Sequence, residues 1–482
     1  MPHFAVGRQQ WRFDRDHLHS GIAASVAGSL GLFLAMTALC PQVHAQQNHS
    51  VVGNSSTTSS TIATGSAGSD ALPLSMHQAV QLGLKQNPRL LASRLEALQS
   101  KQTTKVARSI FLPKGSLTVE EQANRLNLAT LIGQEPAPYS VGPYSNFQAG
   151  AAFDFPVIAV SAWRSYQAQK QREAASQSDA ADTEETIASI IVAQYLSLQR
   201  SKATERAVQS RIDLAQSLLH LANDALTEGT GTSTDALRAN VELQVEKQNF
   251  VEAQAQTEAY GYGLAQVLGL AQNQRVVATE DLSVEDQEAP NEKQALAQAF
   301  NSRPDLMSAE ALHKAAIDDR KASTAERLPE FHFDGFWAQS GRAPSNVLPI
   351  YTYQGEMRLP LFTGGRTTAE IHRAQLGEAR TNQLVEDRRN VITQEVRTAL
   401  TLLQAARQEL QLSAEAVTLS TRELKESRDR FAAGVTNNIE VITAQNSLAQ
   451  STDSQIGAMY RLQQAKADLS RARGQIAADY GN

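Results

Sequence analysis

Little in this sequence can do covalent chemistry, and little in it breaks a helix. There is one cysteine, Cys40, in 482 residues. No disulfide framework is possible, so packing alone must hold the fold. Aromatic residues are only 6%, while Ala, Gln, Ser and Leu abound, a balance that favours long helices with small side chains at their contacts. No block of five basic residues occurs, and 44 basic against 50 acidic residues leave a net charge of −6. A nucleic-acid partner would need an electrostatic footprint that is missing here. Gly-x-Ser-x-Gly, P-loop and dinucleotide fingerprints are absent. His77, His220, His313, His332 and His372 have no partner at metal-ligand spacing. Paired acids such as Glu120-Glu121, Glu184-Glu185 and Asp318-Asp319 read as solvated charges. No enzyme activity, cofactor or metal site is expected.

The N-terminus reads as a secretory signal peptide, residues 1–45. Arg8, Arg12 and Arg15 precede an apolar stretch from 21 to 39, and Val43-His44-Ala45 offers a small-x-small cleavage site. A retained anchor is the alternative, disfavoured by the polar Gln46-Gln47-Asn48 that follows. Cys40 offers a lipid attachment point, but Leu39 stands where a small residue is wanted. Residues 46–72, rich in Ser, Thr, Gly and Asn, form a flexible leader. Beyond the signal no run of 18 apolar residues exists, so a membrane would have to be crossed by strands.

The remainder divides into two similar halves, 73–270 and 293–482, joined by a linker or equatorial segment, 271–292. Asn87-Pro88-Arg89-Leu90 matches Arg303-Pro304-Asp305-Leu306 at an offset of 216, as Leu112-Pro113 matches Leu328-Pro329. Phe155-Pro156 matches Leu359-Pro360 at 204, and Leu226, Gly229 and Gly269 match Phe431, Gly434 and Gly474 at 205. The fall in offset predicts one shorter loop in the second half. Each half reads as helix, two strands, very long helix, turn, helix. Residues 161–227 lack Pro and Gly, and 367–433 contain only Gly377. Each such stretch is about 100 Å of helix, too long for a globular core but suited to coiled-coil pairing. Val208, Ile212, Ala215, Leu219, Ala222 and Leu226 supply a heptad seam, as do Ala399, Leu403, Ala406, Leu410, Ser413, Val417, Ser420 and Leu424.

Between the helices the pattern alternates. Phe147, Ala149, Ala151, Phe153 and Phe155 share one face, against Gln148, Gly150, Ala152 and Asp154. Tyr351, Tyr353, Gly355, Met357 and Leu359 oppose Thr352, Gln354, Glu356 and Arg358. Phe331, Phe333 and Trp337 alternate with His332 and Asp334, and Leu117 and Val119 mark a weaker run. The clear runs are about nine residues long, enough for a tilted strand to cross an outer membrane. Four strands cannot close a barrel, and an open edge in lipid is not tolerated. Three copies would supply twelve strands around a duct, whereas two would supply eight around a filled interior.

With these landmarks the chain resembles the TolC-like outer-membrane efflux protein family over residues 73 to about 478. The most specific stretches are Pro360-Leu361-Phe362-Thr363-Gly364-Gly365-Arg366 and Phe431-Ala432-Ala433-Gly434-Val435-Thr436, followed by Asn437-Asn438-Ile439-Glu440-Val441 and Ala444-Gln445. The resemblance implies a mainly α fold with a small β part. Two tandem repeats would form a homotrimer with a 12-stranded barrel in outer-membrane lipid and a 12-helix periplasmic tunnel. It also implies a periplasmic adaptor and an inner-membrane pump as partners. The first half departs from the pattern, with Pro156-Val157-Ile158-Ala159-Val160-Ser161 in place of the Gly-Gly corner. A soluble periplasmic coiled-coil adaptor is the alternative reading.

A duct acts through rings and tips. Gly229–Asp235 and Gly434–Glu440 should form helix-turn-helix tips. Glu440 and Asp235 are aperture candidates, with Thr443 at the position where the family carries a second acid. Gly229, Thr230, Gly434, Val435 and Thr436 are expected adaptor contacts. Asp154, Glu356 and Arg358 are expected to line the barrel lumen. For Asp235 and Glu440, helix capping is the competing structural role.

Overall fold

The computed structural model describes residues 71–127, 140–271, 273–283 and 290–481. The expected signal peptide with Cys40, leader residues 46–70 and part of the 271–292 linker lie outside the described residues.

The first half runs β1 (Ala71–Leu74), α1 (Met76–Gln86), α2 (Pro88–Ser109), β2 (Lys114–Asn127), β3 (Ser140–Ile158), α3 (Val160–Thr227) and α4 (Ser233–Leu268). After β4 (Arg275–Ala278), the second half runs α5 (Glu292–Ser302), α6 (Pro304–Ala325), β5 (Glu330–Ala343), β6 (Asn346–Arg358), α7 (Arg366–Ala432) and α8 (Asn438–Arg473). A short α9 (Ile476–Gly481) closes the described chain. The repeat is visible in the element starts, since Pro88 and Pro304 open α2 and α6, and Ser233 and Asn438 open α4 and α8. The shorter loop is the one from Ala343 to Asn346 in the second half, whose counterpart in the first half runs from Asn127 to Ser140.

Three expectations need correction. The leader does not extend to residue 72, because Ala71 and Leu72 pair in parallel with Arg275 and Val276. The linker does not extend to 292, because Asn291 caps α5 and Glu292 begins it. The strands are longer than nine residues, at 14, 19, 14 and 13. Backbone pairing continues past the alternating cores, with Asn124 still opposite Tyr144 and Leu126 opposite Val141.

The long helices pack along the seams read from the sequence. Val208, Ile212, Ala215 and Ala222 on α3 are buried, as are Ala399, Leu403, Ala406, Ser413, Ser420 and Leu424 on α7. Near the end of α3 the seam shifts, with Leu218 fully buried ahead of Leu219 and Leu226 left 40% exposed. The shift follows from geometry, since a straight helix drifts off a strict seven-residue repeat.

Each short helix is spliced end to end onto the last helix of its half. α4 ends at Gly269 and α8 at Gly474, both with left-handed backbone, φ 74° and 69°. A Cβ at Gly269 would meet Gln86 and Pro88, and one at Gly474 would meet Arg303, so a side chain there would be strained and crowded. In the first splice Asn87 caps α2 by accepting from the Arg89 and Leu90 amides, and its Nδ2 donates to the Val267 carbonyl at 2.8 Å. In the second, Arg303 is 3% exposed and donates to Asp305 at 2.6 Å, to Glu395 and to the Ala472 carbonyl. The result is two composite rods beside two continuous ones.

A core at the level of the first splice packs α2, α3, α4 and α9 together. It contains Leu90, Ile191, Val192, Tyr195, Leu198, Leu264, Leu268 and Ile476. The Tyr195 hydroxyl donates to the Leu74 carbonyl at 2.9 Å, and burial pushes its pKa up to about 12, so it remains a neutral donor. Nearby, Glu185 on α3 accepts the Ile476 amide at 2.8 Å. Burial raises the Glu185 pKa, and the amides of Ile476 and Ala477 only partly offset this. A carboxyl with a raised folded pKa contributes stability below its unfolded value and loses it as pH rises through the folded value. Glu185→Gln keeps the acceptor and removes the ionisation. Its stability relative to the parent should therefore increase from about pH 4.5 toward neutrality, as read in melts across that range. Parallel curves would refute the burial argument.

Candidate functional site

The tips are built from two helix ends and two caps. At the first, Gly229 has φ 75°, and the Thr230 and Gly231 amides donate back to the Ala225 carbonyl at 2.9 and 2.8 Å. Thr232 then caps α4. Its Oγ1 accepts from the Asp235 amide and donates to the Asp235 carboxylate at 2.6 Å. Asp235 is 8% exposed, with Arg238 at 3.7 Å. Its carboxylate therefore serves the cap and does not face solvent.

At the second tip Gly434 has φ 69° and the Val435 amide donates to the Arg430 carbonyl at 3.0 Å. Asn437 caps α8 by accepting from Ile439. Glu440 is half-buried. It accepts from Thr436 Oγ1 and pairs with Arg430 at 3.2 Å. Thr443 is exposed, and its hydroxyl donates to the Ile439 carbonyl one turn back. Gly229, Thr230, Gly434 and Val435 are exposed, whereas Thr436 is half-buried by its bond to Glu440.

The tips are joined to each other. Asn438 is fully buried, and its Nδ2 donates to the Asp235 carbonyl at 2.9 Å. Beneath them Leu218, Ala222, Ala239, Leu424, Val441 and Ala444 form one cluster drawn from all four tip helices. Further up, Arg211 on α3 reaches Glu246 on α4 at 3.3 Å and Asp453 on α8 at 3.0 Å.

At the other end the strands form one antiparallel sheet in the order β2-β3-β5-β6. Its register sorts the two faces. The row Gly115, Phe153, Gly335, Tyr353 and the row Leu117, Ala151, Trp337, Tyr351 belong to the apolar face. Here the Phe153 ring meets Phe333 at 5.7 Å and Tyr353 at 6.1 Å between centroids. The opposite face carries the row Lys114, Asp154, Asp334, Gln354. The next pairs on that face are His332 with Glu356 and Glu330 with Arg358. Asp154, Glu356 and Arg358 thus share one polar face, and Glu356 pairs with Arg358 at 2.9 Å. Lys114 was missed as a member, although Leu112-Pro113 marks where its strand begins. Arg430 was missed as the partner of Glu440, because a pair across a turn leaves no periodic pattern.

Among the described residues no helix is long and apolar enough to cross a membrane, and no cluster could hold a metal ion.

The family model described as "Outer membrane efflux protein" matches residues 79–270 and 295–475, both repeats. The outer membrane efflux protein BepC of Brucella suis biovar 1 is 23% identical over 297 residues, 60% of this chain and 63% of that protein. The chain thus spans just under two thirds of that relative's length. Among solved structures, the outer membrane protein VceC of Vibrio cholerae aligns with TM-score 0.71 at 16% identity, covering 83% of this chain and 96% of that one. The CmeC outer membrane channel of Campylobacter jejuni aligns with TM-score 0.71 at 16% identity, covering 83% and 85%. At these identities the structures establish a common fold.

Proposed function

We propose, from the premise that this chain belongs to the outer membrane efflux protein family, that it is one protomer of a trimeric export duct. Its place is the bacterial outer membrane. The observation that carries the reading is the four-stranded sheet. One face is apolar and the other charged, β2 and β6 have no outer partner among the described residues, and the whole stands on helices of 68 and 67 residues. Open edges in lipid leave backbone groups unsatisfied. Three copies remove them by pairing each β6 with the β2 of the next copy, giving a twelve-stranded barrel with the charged face inward. The rods extend the lumen about 100 Å into the periplasm. There the tips would meet a periplasmic adaptor through Gly229, Thr230, Gly434, Val435 and Thr436, with an inner-membrane pump beyond it. The paired hairpins and the sheet support this reading over a soluble adaptor with a single hairpin. Outer-membrane fractionation followed by native mass in mild detergent tests it. A heat-modifiable trimer supports the duct, and a soluble monomer sinks it.

Three copies of Glu440 would ring the tip aperture, but each is already paired with Arg430 and bonded to Thr436. The cation preference should therefore be weak. Glu440→Gln should lower the cation-to-anion permeability ratio by only about two- to fivefold, the scale of one half-buried, paired charge near the surface. Anion selectivity in the parent channel refutes the ring.

A further inference from the structure

Among the described residues two apolar patches remain open to solvent, and the sheet places them at matching positions. The first lies at the foot of β2. Phe111 meets Trp163 and Tyr166 of α3 at 5.8 and 6.0 Å between ring centroids, yet Trp163 remains 49% exposed. Leu112 is exposed beside it. The second patch follows β6, where Leu361 and Phe362 are 89% and 91% exposed in the corner leading to α7. β2 and β6 are the two outer strands of the sheet. Both patches lie at its helix-bearing end.

The register fixes their relative height. The row starting at Lys114 reaches β3 at Asp154 and β6 at Gln354. β2 begins at that row, while β3, with a bulge between Pro156 and Ile158, reaches Ile158 three rows past it and β6 reaches Arg358 four rows past it. The step toward the helices thus falls mainly between β2 and β3. Barrel closure requires a net stagger of this kind. In a ring of identical copies every Lys114 stands at one height. With the helix-side strand ends of all copies at one level, Lys114 of the next copy lies beyond Gln354 on the helix side, near the corner that holds Leu361 and Phe362.

We propose that Leu361 and Phe362 of each protomer seat on Phe111, Leu112 and Trp163 of the adjacent copy, an apolar clasp beneath the shared barrel. The proposal rests on the shared-barrel reading above. It makes the contact heterologous and ring-closing, since the two patches are different surfaces of one chain.

The sole native cysteine is Cys40, so crosslinking can be read cleanly in a C40S background. Trp163→Cys and Phe362→Cys together should give disulfide-linked dimers and trimers when outer membranes are oxidised, and neither single variant should. If the heat-modifiable trimer persists and the double variant links no more than the singles, the clasp is wrong while the duct stands. If the parent forms no trimer, the shared barrel itself fails. Alanine variants give a second readout. Phe362→Ala and Trp163→Ala should each lower the temperature at which unboiled trimers dissociate, and the double variant should fall no further than the worse single. Additive losses overturn the contact. So does strong quenching by brominated phospholipid of Phe362→Trp in a W11F/W163F/W337F chain, which would make lipid the occupant.

Discussion

Arg303→Ala should destabilise the fold by about 3–5 kcal/mol, the usual cost of removing one partner from a buried ion pair. The guanidinium is 3% exposed and holds Asp305 at 2.6 Å, Glu395 and the Ala472 carbonyl. Its loss strands a buried carboxylate at the point where α8 meets α6. Arg388 lies 3.5 Å from Asp305 and would compensate only in part. Burial alone would raise the Asp305 pKa, but Arg303 and Arg388 hold it below its ordinary 3.8. Such a group stabilises the fold above its unfolded pKa, and that contribution is lost as pH falls through the lowered folded value. The deficit of Arg303→Ala should accordingly be largest at neutral pH and shrink below about pH 4. Hydrogen exchange in α6 and at the end of α8, with melts at pH 7 and pH 3.5, checks both statements. Adding Asp305→Ala should recover part of the loss, because it removes the stranded charge. A deficit that is independent of pH, with no recovery in the double variant, would assign the cost to packing.

A charge on the apolar face of the sheet should prevent assembly, and the same charge one residue away should not. Tyr353 lies on the aromatic face with Phe153, whereas Thr352 faces the polar side with Gln354. Arginine on a lipid-facing strand position costs about 2–4 kcal/mol near the bilayer midplane, and the shared barrel would incur that cost in every copy. Tyr353→Arg should abolish the heat-modifiable trimer in outer membranes, while Thr352→Arg should leave its level unchanged. Equal losses, or equal tolerance, would mean that the two faces do not meet different solvents.

The long elements were legible because their periodicity is carried by many residues. The α7 seam from Ala399 to Leu424 and the alternation from Phe147 to Phe155 needed no tertiary information. Both splices were marked by Asn87-Pro88 with Gly269 and by Arg303-Pro304 with Gly474, although as landmarks of a repeat rather than as contacts. β1 was hidden because four residues carry no period and its partner lies some two hundred residues away. The capping role of Asp235 was legible as one of the two readings of that residue. Thr232-Ser233-Thr234-Asp235 is a capping box in the sequence, and such a box removes the carboxylate from solvent. The pairing of Glu440 with Arg430 was not readable, because it depends on the angle at which two helices leave a turn.

The splices also set the order in which the molecule can be made. Asn87 bonds to a residue 180 positions later, and Arg303 to one 169 positions later. The hairpins α3–α4 and α7–α8 form between neighbours in sequence, but neither composite rod exists until its half is nearly synthesised. The sheet requires strands from both halves. Non-local closure of this kind is slow, so the hairpins should be old and the sheet young in any folding trajectory. In the proposed duct the part that enters lipid is thereby the last to be assembled, and until then its apolar face needs protection from water.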